Sequence, residues 1–375
     1  MSKKILIVTT QSPYPTHHGG AFDVFEKLIG IKKLGFTIDL VITTKFLIKD
    51  DDKLFLKKIV NKLYIVERKN KILDLFSLYP IQYKSRINLK KIVFNDYYNH
   101  VLLESEFLSS ILLNKTLNYG KLYFRVHNNE SYYFRQLAAS TNNLIKKIYY
   151  LVDSFKINKV TNSLLVKADR IWYISNKEYE ESKYKSKAIF LPPPINEKFK
   201  INENYSKTVL FVGSLFMENN IQGLDWYLEN IHEKLLKKHI DYKLIIAGSS
   251  GSIQVNQLKN KYAHLKSVEL YLNKKSLADL YDKSSIFINP MFFGSGVKLK
   301  SINSIVNGML LVSTDVGVEG IGLTESMYLK ANNKEDFLNQ ISLAFNNKNK
   351  NKMIKDAQEY LKSINYLNIL KNELK

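Results

Sequence analysis

Apolar residues come along this chain in short runs, mostly four to six long, and bounded by turn residues. Runs of that length read as strands buried on both faces rather than as helices. In the first half they predict strands over Lys4–Thr9, Thr37–Thr43, Lys62–Val66, Tyr98–Leu103, Leu122–Val126 and Arg170–Ile174. Between the first two, Phe22–Leu34 repeats apolar residues at helical spacing and Gly35 caps it. Strand, helix, strand makes a βαβ unit, which starts a parallel sheet with a right-handed crossover. Asn142–Lys167 reads as one long helix or a pair. Leu191-Pro192-Pro193-Pro194 can continue neither helix nor central strand and marks an extended linker. The pattern then restarts, with strands over Val209–Val212, Lys243–Ala247, Val268–Leu272, Ser285–Asn289 and Met309–Thr314. Helices are expected over Gly223–Lys237 and Ser276–Lys283, with a closing helix over Met353–Leu374. An α/β chain of two doubly wound halves follows, each binding its ligand at the carboxyl ends of its strands.

One segment carries specific chemistry. After the strand ending at Asn289 comes Pro290-Met-Phe-Phe-Gly294-Ser295-Gly296-Val297-Lys298-Leu-Lys300-Ser-Ile-Asn303, and then Gly308 and Val316-Gly317-Val-Glu319-Gly320. A helix is expected to reopen there with Lys298 and Lys300 in its first turn. The unpaired N–H groups of a helix start, together with the helix dipole, attract phosphate. Glycines let the backbone approach an anion, and lysines add charge. A Gly-x-Gly turn also serves simply to pack a helix on a strand, so the loop alone decides nothing.

The whole run resembles the nucleotide-sugar signature of retaining GT-B glycosyltransferases of the family 4 type, in which Gly-x-Gly-x-Lys-Leu-Lys precedes a Glu-Ala pair and a later Val-Gly-x-Glu-Gly turn. Two glutamates of that pattern are replaced here, by Ser295 and Asn303. The resemblance implies the GT-B fold, two doubly wound Rossmann-like domains facing across a cleft. It implies an acceptor-binding domain over residues 1–195, a nucleotide-sugar-binding domain over 196–352, and a helix over 353–375 crossing back. Lys298 and Lys300 would neutralise the donor diphosphate, aided by Gly294, Ser295, Gly296 and Val297. Asn303 would lie at the ribose without the glutamate's charge. Phe211-Val-Gly213-Ser214 resembles the strand and turn that border the diphosphate, and Gly19-Gly20, after the His17-His18 pair, the loop that reaches the donor from the other domain. A plain strand-to-helix turn is the competing reading of Gly19-Gly20. Arg125-Val-His127-Asn128-Asn129-Glu130 resembles the segment whose histidine lies against the transferred sugar, with Asn128 and Glu130 near the acceptor; a helix-capping role is the alternative for Glu130. The implied activity is hexosyl transfer with retention, from a nucleotide-sugar to a glycan or lipid-linked acceptor, in bacterial surface polysaccharide synthesis. Loss of the glutamate at Asn303 leaves open a weak or inactive GT-B protein that binds or scaffolds a partner.

Composition narrows the rest. The chain has 375 residues and no cysteine, so thiol and zinc-thiolate chemistry are excluded, and its seven histidines lack metal-site spacing. No cofactor and no metal are expected. The amino terminus enters a strand directly and no apolar stretch reaches spanning length, so a cytoplasmic protein is expected. The formal charge is +21. Residues 1–200 hold 34 Lys and Arg against 18 Asp and Glu. No basic-aromatic module accompanies that charge, which argues against nucleic acid. An anionic membrane surface is the better match. Leu54–Val60 and Ile87–Phe94, with Lys57, Lys58, Lys90 and Lys91, are expected to lay lysine-flanked apolar stripes on it, against the alternative that the stripes face the core.

Overall fold

The computed structural model describes the chain except residues 1–2, 17–18, 196–197, 252, 295 and 347–349. Its contacts form two units, Met1–Pro194 with Asn365–Lys375, and Ile195–Ile364. The first holds seven parallel strands: β1 (Lys4–Thr9), β2 (Thr37–Thr44), β3 (Lys62–Glu67), β4 (Tyr97–Leu103), β5 (Asn118–Val126), β6 (Arg170–Tyr173) and β7 (Ala188–Phe190), in the order β3-β2-β1-β4-β5-β6-β7. The second holds six: β8 (Thr208–Val212), β9 (Lys243–Gly248), β10 (Val268–Leu272), β11 (Ile286–Asn289), β12 (Leu310–Ser313) and β13 (Leu329–Lys330), in the order β10-β9-β8-β11-β12-β13.

Both sheets reverse their winding once. The chain runs β1 to β3 in one direction and returns to place β4 beside β1; β8 to β10 and then β11 repeat the move. The strand order therefore switches between β1 and β4, and between β8 and β11, which is where open α/β sheets bind ligands. Continuous apolar strands make this possible. Ile5 to Val8 and Val209 to Phe211 are wholly buried, because helices cover both faces of each sheet.

The expected strand positions hold to within a few residues; the short β7 and β13 give too little pattern to be read. The closing helix differs. It is two helices, Lys350–Ser363 in the second unit and Tyr366–Glu373 in the first, because Asn365 leaves helical geometry and its side chain caps the second by accepting the Asn368 N–H. The terminal helix buries Leu370 against the first sheet. Glu373 receives Arg170 Nε at 2.9 Å and Trp172 Nε1 at 3.0 Å, while its carbonyl accepts the Tyr123 hydroxyl at 3.0 Å. The two lysine-flanked stripes also differ from expectation. Leu56, Val60, Leu89 and Phe94 are buried in the first unit's cores and only Leu54 and Val93 of these segments are strongly exposed, so neither segment presents a continuous apolar stripe outward. Among the described residues no helix is long and apolar enough to cross a membrane.

The chain's two tryptophans report the units separately, Trp172 the first and Trp226 the second. In a Trp226→Phe background, Leu370→Ala should destabilise the first unit by about 2–4 kcal/mol, read as a lower denaturant midpoint of Trp172 fluorescence. An unchanged midpoint would mean that the terminal helix adds nothing to that unit.

Candidate functional site

At the first switch point four charged side chains and a histidine meet in one network. Asp23 and Lys27 come from the helix Gly19–Lys33, Glu104 follows β4, and Arg125 and His127 stand at the end of β5. The Lys27 ammonium lies 2.8 Å from Asp23 Oδ2 and 2.9 Å from both Glu104 oxygens. Arg125 Nη2 donates to Asp23 Oδ1 at 2.9 Å, and its other terminal nitrogen to the Leu191 carbonyl. Asp23, Lys27 and Arg125 are fully buried and Glu104 nearly so. Burial alone would raise both carboxyls, but the cations outweigh it: Arg125, Lys27 and His127 hold Asp23 well below the usual range, and Lys27 with His127 lowers Glu104. Asp23, Glu104 and His127 also lie within 4.8 Å of one another, a spacing that suits a metal ion, but the cation between the two carboxylates is the chain's own ammonium.

His127 Nε2 lies 2.8 Å from Glu104 Oε2. An ionised Glu104 only accepts, so Nε2 carries the hydrogen and the ring is fixed in orientation. Asn128 Nδ2 donates to Glu130 Oε1 at 3.1 Å. Glu130 opens the helix Glu130–Ser140, whose cap is Asn129, accepting the Tyr132 N–H at 2.9 Å; the capping alternative for Glu130 therefore fails. Close to it lies the buried Glu106, which no motif in the chain singles out. Glu106 accepts the Ser105 and Thr161 hydroxyls, and burial followed by the charge of Glu130 pushes its carboxyl up to about 7. Gly19 and Gly20 are the first two residues of their helix, one turn earlier than the expected start at Phe22.

At the second switch point the loop after β11 is pinned from below. Asn289 Nδ2 donates to Ser301 Oγ and to the Gly317 carbonyl, both at 2.9 Å, and the Ser301 hydroxyl reaches the same carbonyl at 2.7 Å. A Cβ on Gly317 would sit 2.2 Å from Ser313 Oγ, so the Val-Gly-x-Glu-Gly turn needs its glycine for packing. Gly294 and Gly296 have φ of +129° and +74°, which side chains rarely tolerate. The helix that follows is Leu299–Val306. Lys298 is its N-cap rather than part of its first turn, is buried, and turns its ammonium onto the Gly296 carbonyl.

Lys300 does lie in that first turn. Its ammonium donates to Asn220 Oδ1 at 2.7 Å and sits 5.2 Å from the centre of the Phe211 ring. Among the described residues no carboxylate pairs with it. Burial, and then the charge of Lys298, lower its pKa to about 7. Asn220 is tied in turn to the Ser214 carbonyl at 3.1 Å, and a Cβ on Gly213 would press on the Asn220 side chain at 3.0 Å. Asn219 lies against Gly294, and its side-chain oxygen is buried with no hydrogen-bond partner.

The second unit thus brings Gly213, Ser214, Gly294, Gly296, Lys298 and Lys300 to one place. Val297 is half-buried against the adjoining core, and Ser295 lies outside the described residues, as do His17 and His18. Asn303 is exposed one turn along the helix from Lys300; its backbone carbonyl accepts from Asn307, and among the described residues its side chain has no hydrogen-bond partner. His127, Asn128 and Glu130 gather in the first unit. The sequence reading missed Asn219 and Asn220. Their one signal was position, in the first turn of the helix Glu218–Tyr227 just past the Gly213-Ser214 turn.

A family model described as glycosyl transferases group 1 matches residues 206–347. The chain is 37% identical over 346 residues to an uncharacterised 44.6 kDa protein in the cps region of Klebsiella pneumoniae, covering 88% of each. TarM of S. aureus, in complex with fondaparinux, α-GlcNAc-glycerol and UDP, is similar with a TM-score of 0.70 at 10% identity over 100% of both chains. Anabaena HepE in complex with UDP and glucose gives 0.64 at 10% identity over 99% and 98% of the two chains. A glycosyltransferase from Rickettsia africae gives 0.62 at 17% over 99% and 96%. At these identities the likeness is one of fold, and the fold is GT-B, two Rossmann-like α/β domains.

Glu106 makes stability depend on pH with a definite sign. Its folded pKa is raised, so the native state holds that proton more tightly than the unfolded chain. Its stabilising contribution is complete below pH 4.5 and is lost as the pH rises through about 7. Relative to Glu106→Gln, the parent should lose about 3 kcal/mol across that window. Denaturant titrations of both proteins at several pH values test this; parallel profiles would mean that Glu106 has the same pKa folded and unfolded.

Proposed function

The chain belongs to the glycosyl transferases group 1 family, and on that premise we propose that it moves a hexose-type sugar from a nucleoside diphosphate to a glycan or lipid-linked acceptor, with retention of configuration. The position of its Klebsiella relative in a cps region supports surface polysaccharide synthesis as the setting. UDP and sugars in the TarM and HepE complexes support a nucleotide-sugar donor and a glycan acceptor.

The observation that carries this reading is the contrast between two lysines, Lys27 fully buried and Lys300 half-buried with its ammonium turned onto Asn220 and the Phe211 ring. Lys27 has two carboxylates within 2.9 Å, whereas Lys300 has an amide oxygen, an aromatic ring and a second lysine. An ammonium partly withdrawn from water without a counter-charge is costly, so its retention suits an anionic ligand. A donor diphosphate would lie over the glycines and the helix start, against Lys300, with Asn219 Oδ1 available to a donor hydroxyl. Charge builds on the diphosphate as the sugar leaves, and a cation already in place stabilises that state most. Neutralisation is assigned to these groups, and the reading calls for no metal ion. In the first unit the acceptor would meet Asn128 and Glu130, and His127 would contact the sugar, its ring oriented by Glu104. Proton removal from the acceptor falls to the departing phosphate on the same face.

A second reading keeps the site but not the turnover. Asn303 accepts and donates single hydrogen bonds where the resembled pattern has a carboxylate, and a chain that held nucleotide weakly would act as a binding or scaffolding partner.

A thermal-shift screen of nucleoside-diphosphate sugars should identify the donor by its rise in melting temperature. With that donor, replacing Lys298 and Lys300 together by alanine should cost about 2–4 kcal/mol in kcat/KM. Nucleotide affinity equal to the parent's in this double variant would refute the diphosphate assignment. Asn303→Glu should tighten nucleotide binding about three- to tenfold. No change would remove Asn303 from the ribose, and tight binding without transfer in any acceptor mixture would favour the scaffolding reading.

A further inference from the structure

The helix Leu144–Lys167 has two apolar faces. One buries Ile157, Val160 and Leu164 in the first unit. The other exposes Leu144, Ile145, Ile148, Leu151, Val152 and Phe155, with Ile145 82% and Phe155 75% accessible. At 100° per residue these six fall within about a third of the circumference, turned away from the buried side. The stripe continues onto a neighbouring segment, because the Lys156 ammonium donates to the Leu75 carbonyl at 3.0 Å and joins the helix to the 3-10 turn Ile72–Phe76. Ile72, Leu73, Phe76 and Leu78 there are each at least 78% exposed. Monomeric proteins seldom expose a continuous apolar area beyond a few hundred Å², and ten large side chains exceed it.

The surroundings are cationic. Residues 68–91 hold seven Lys and Arg against one acid, Asp74, which is occupied by the Lys71 backbone N–H. The helix holds five lysines against Asp153, which is buried. On the helical wheel the exposed Lys147 flanks the stripe on one side and the exposed Lys159 extends it, while the Lys156 ammonium is taken by the Leu75 carbonyl and Asp153. We propose that this surface rests on an anionic bilayer, its apolar side chains among the acyl and headgroup boundary and its lysines at the lipid phosphates. A second copy of the chain matches the apolar area but not the charge, since a two-fold pairing sets one lysine rim against the other. The surface is distinct from Leu54–Val60 and Ile87–Phe94, and it stands independently of the transfer reaction.

Flotation of the full chain with vesicles tests it. Binding is expected to vesicles of phosphatidylglycerol mixed with phosphatidylcholine at low salt, and to fall with added salt and with pure phosphatidylcholine. Ile145→Glu with Phe155→Glu should weaken binding about tenfold or more, and Lys147→Glu with Lys159→Glu should remove the preference for anionic lipid. Ile240→Glu, at a residue 97% exposed in the second unit, should change nothing. Because all the substituted side chains are on the surface, near-UV circular dichroism should match the parent's. Failure to bind anionic vesicles, or equal binding by the Ile145 and Phe155 double variant, overturns the proposal. So does dimerisation in solution abolished by that same double variant without vesicle binding, which would assign the surface to a second copy.

Discussion

An ammonium drawn away from water must find a negative charge or hold its proton less tightly, and the two halves of this chain, with Lys27 fully buried and Lys300 half-buried, meet that demand in opposite ways. In the first unit Lys27 is closed in by Asp23 and Glu104, Arg125 shares Asp23, and His127 leans on Glu104. The charges of the four buried groups cancel, and the network ties a helix to the ends of β4 and β5. In the second unit Lys300 is held by Asn220 and repelled by Lys298, and its pKa falls to about 7. One arrangement is finished without a ligand. The other becomes favourable when an anion arrives, and the proposed donor site follows from that difference.

The same contrast runs through the loops. Asn289, Ser301 and Gly317 lock the turn after β11 from beneath, while Gly294 and Gly296 take backbone conformations that keep side chains off its upper side. A loop fixed in this way suits a ligand that is gripped through phosphates and backbone amides. Placement at the β8–β11 switch point comes from the winding of the sheet, so fold and site share one cause.

The strands were legible because a parallel strand buried on both faces is an apolar run, and Ile5 to Val8 or Val209 to Phe211 can hardly be read otherwise. The glycine loop and its lysines were legible as a motif, but not their geometry. Lys298 turning back onto Gly296 depends on φ and ψ values that no pattern states. Asp23 and Lys27 stand four apart on a helix, the usual spacing of a solvated pair, and only Glu104, 77 residues further along the chain, makes them a core. Leu56 and Leu89 looked like stripes for a membrane because flanking lysines at segment ends are equally common on core helices. The outward stripe from Leu144 to Phe155 escaped notice for the opposite reason: a helix apolar on two faces gives no clear periodicity. Helices such as Lys334–Phe345, capped by Asn333, were hidden by polar surfaces. The break at Asn365 was hidden because one asparagine within a helical pattern is unremarkable.

The central claim is that Lys300 waits for an anion, and its own titration tests that most directly. The side-chain resonance of Lys300, assigned by its loss in Lys300→Arg, can be followed by NMR against pH with and without a bound nucleoside diphosphate. The account predicts a midpoint near 7 in the free protein, rising by one unit or more when the nucleotide is bound, with proton uptake on binding at pH 8. A midpoint near 10.5 in the free protein, unmoved by nucleotide, would contradict it.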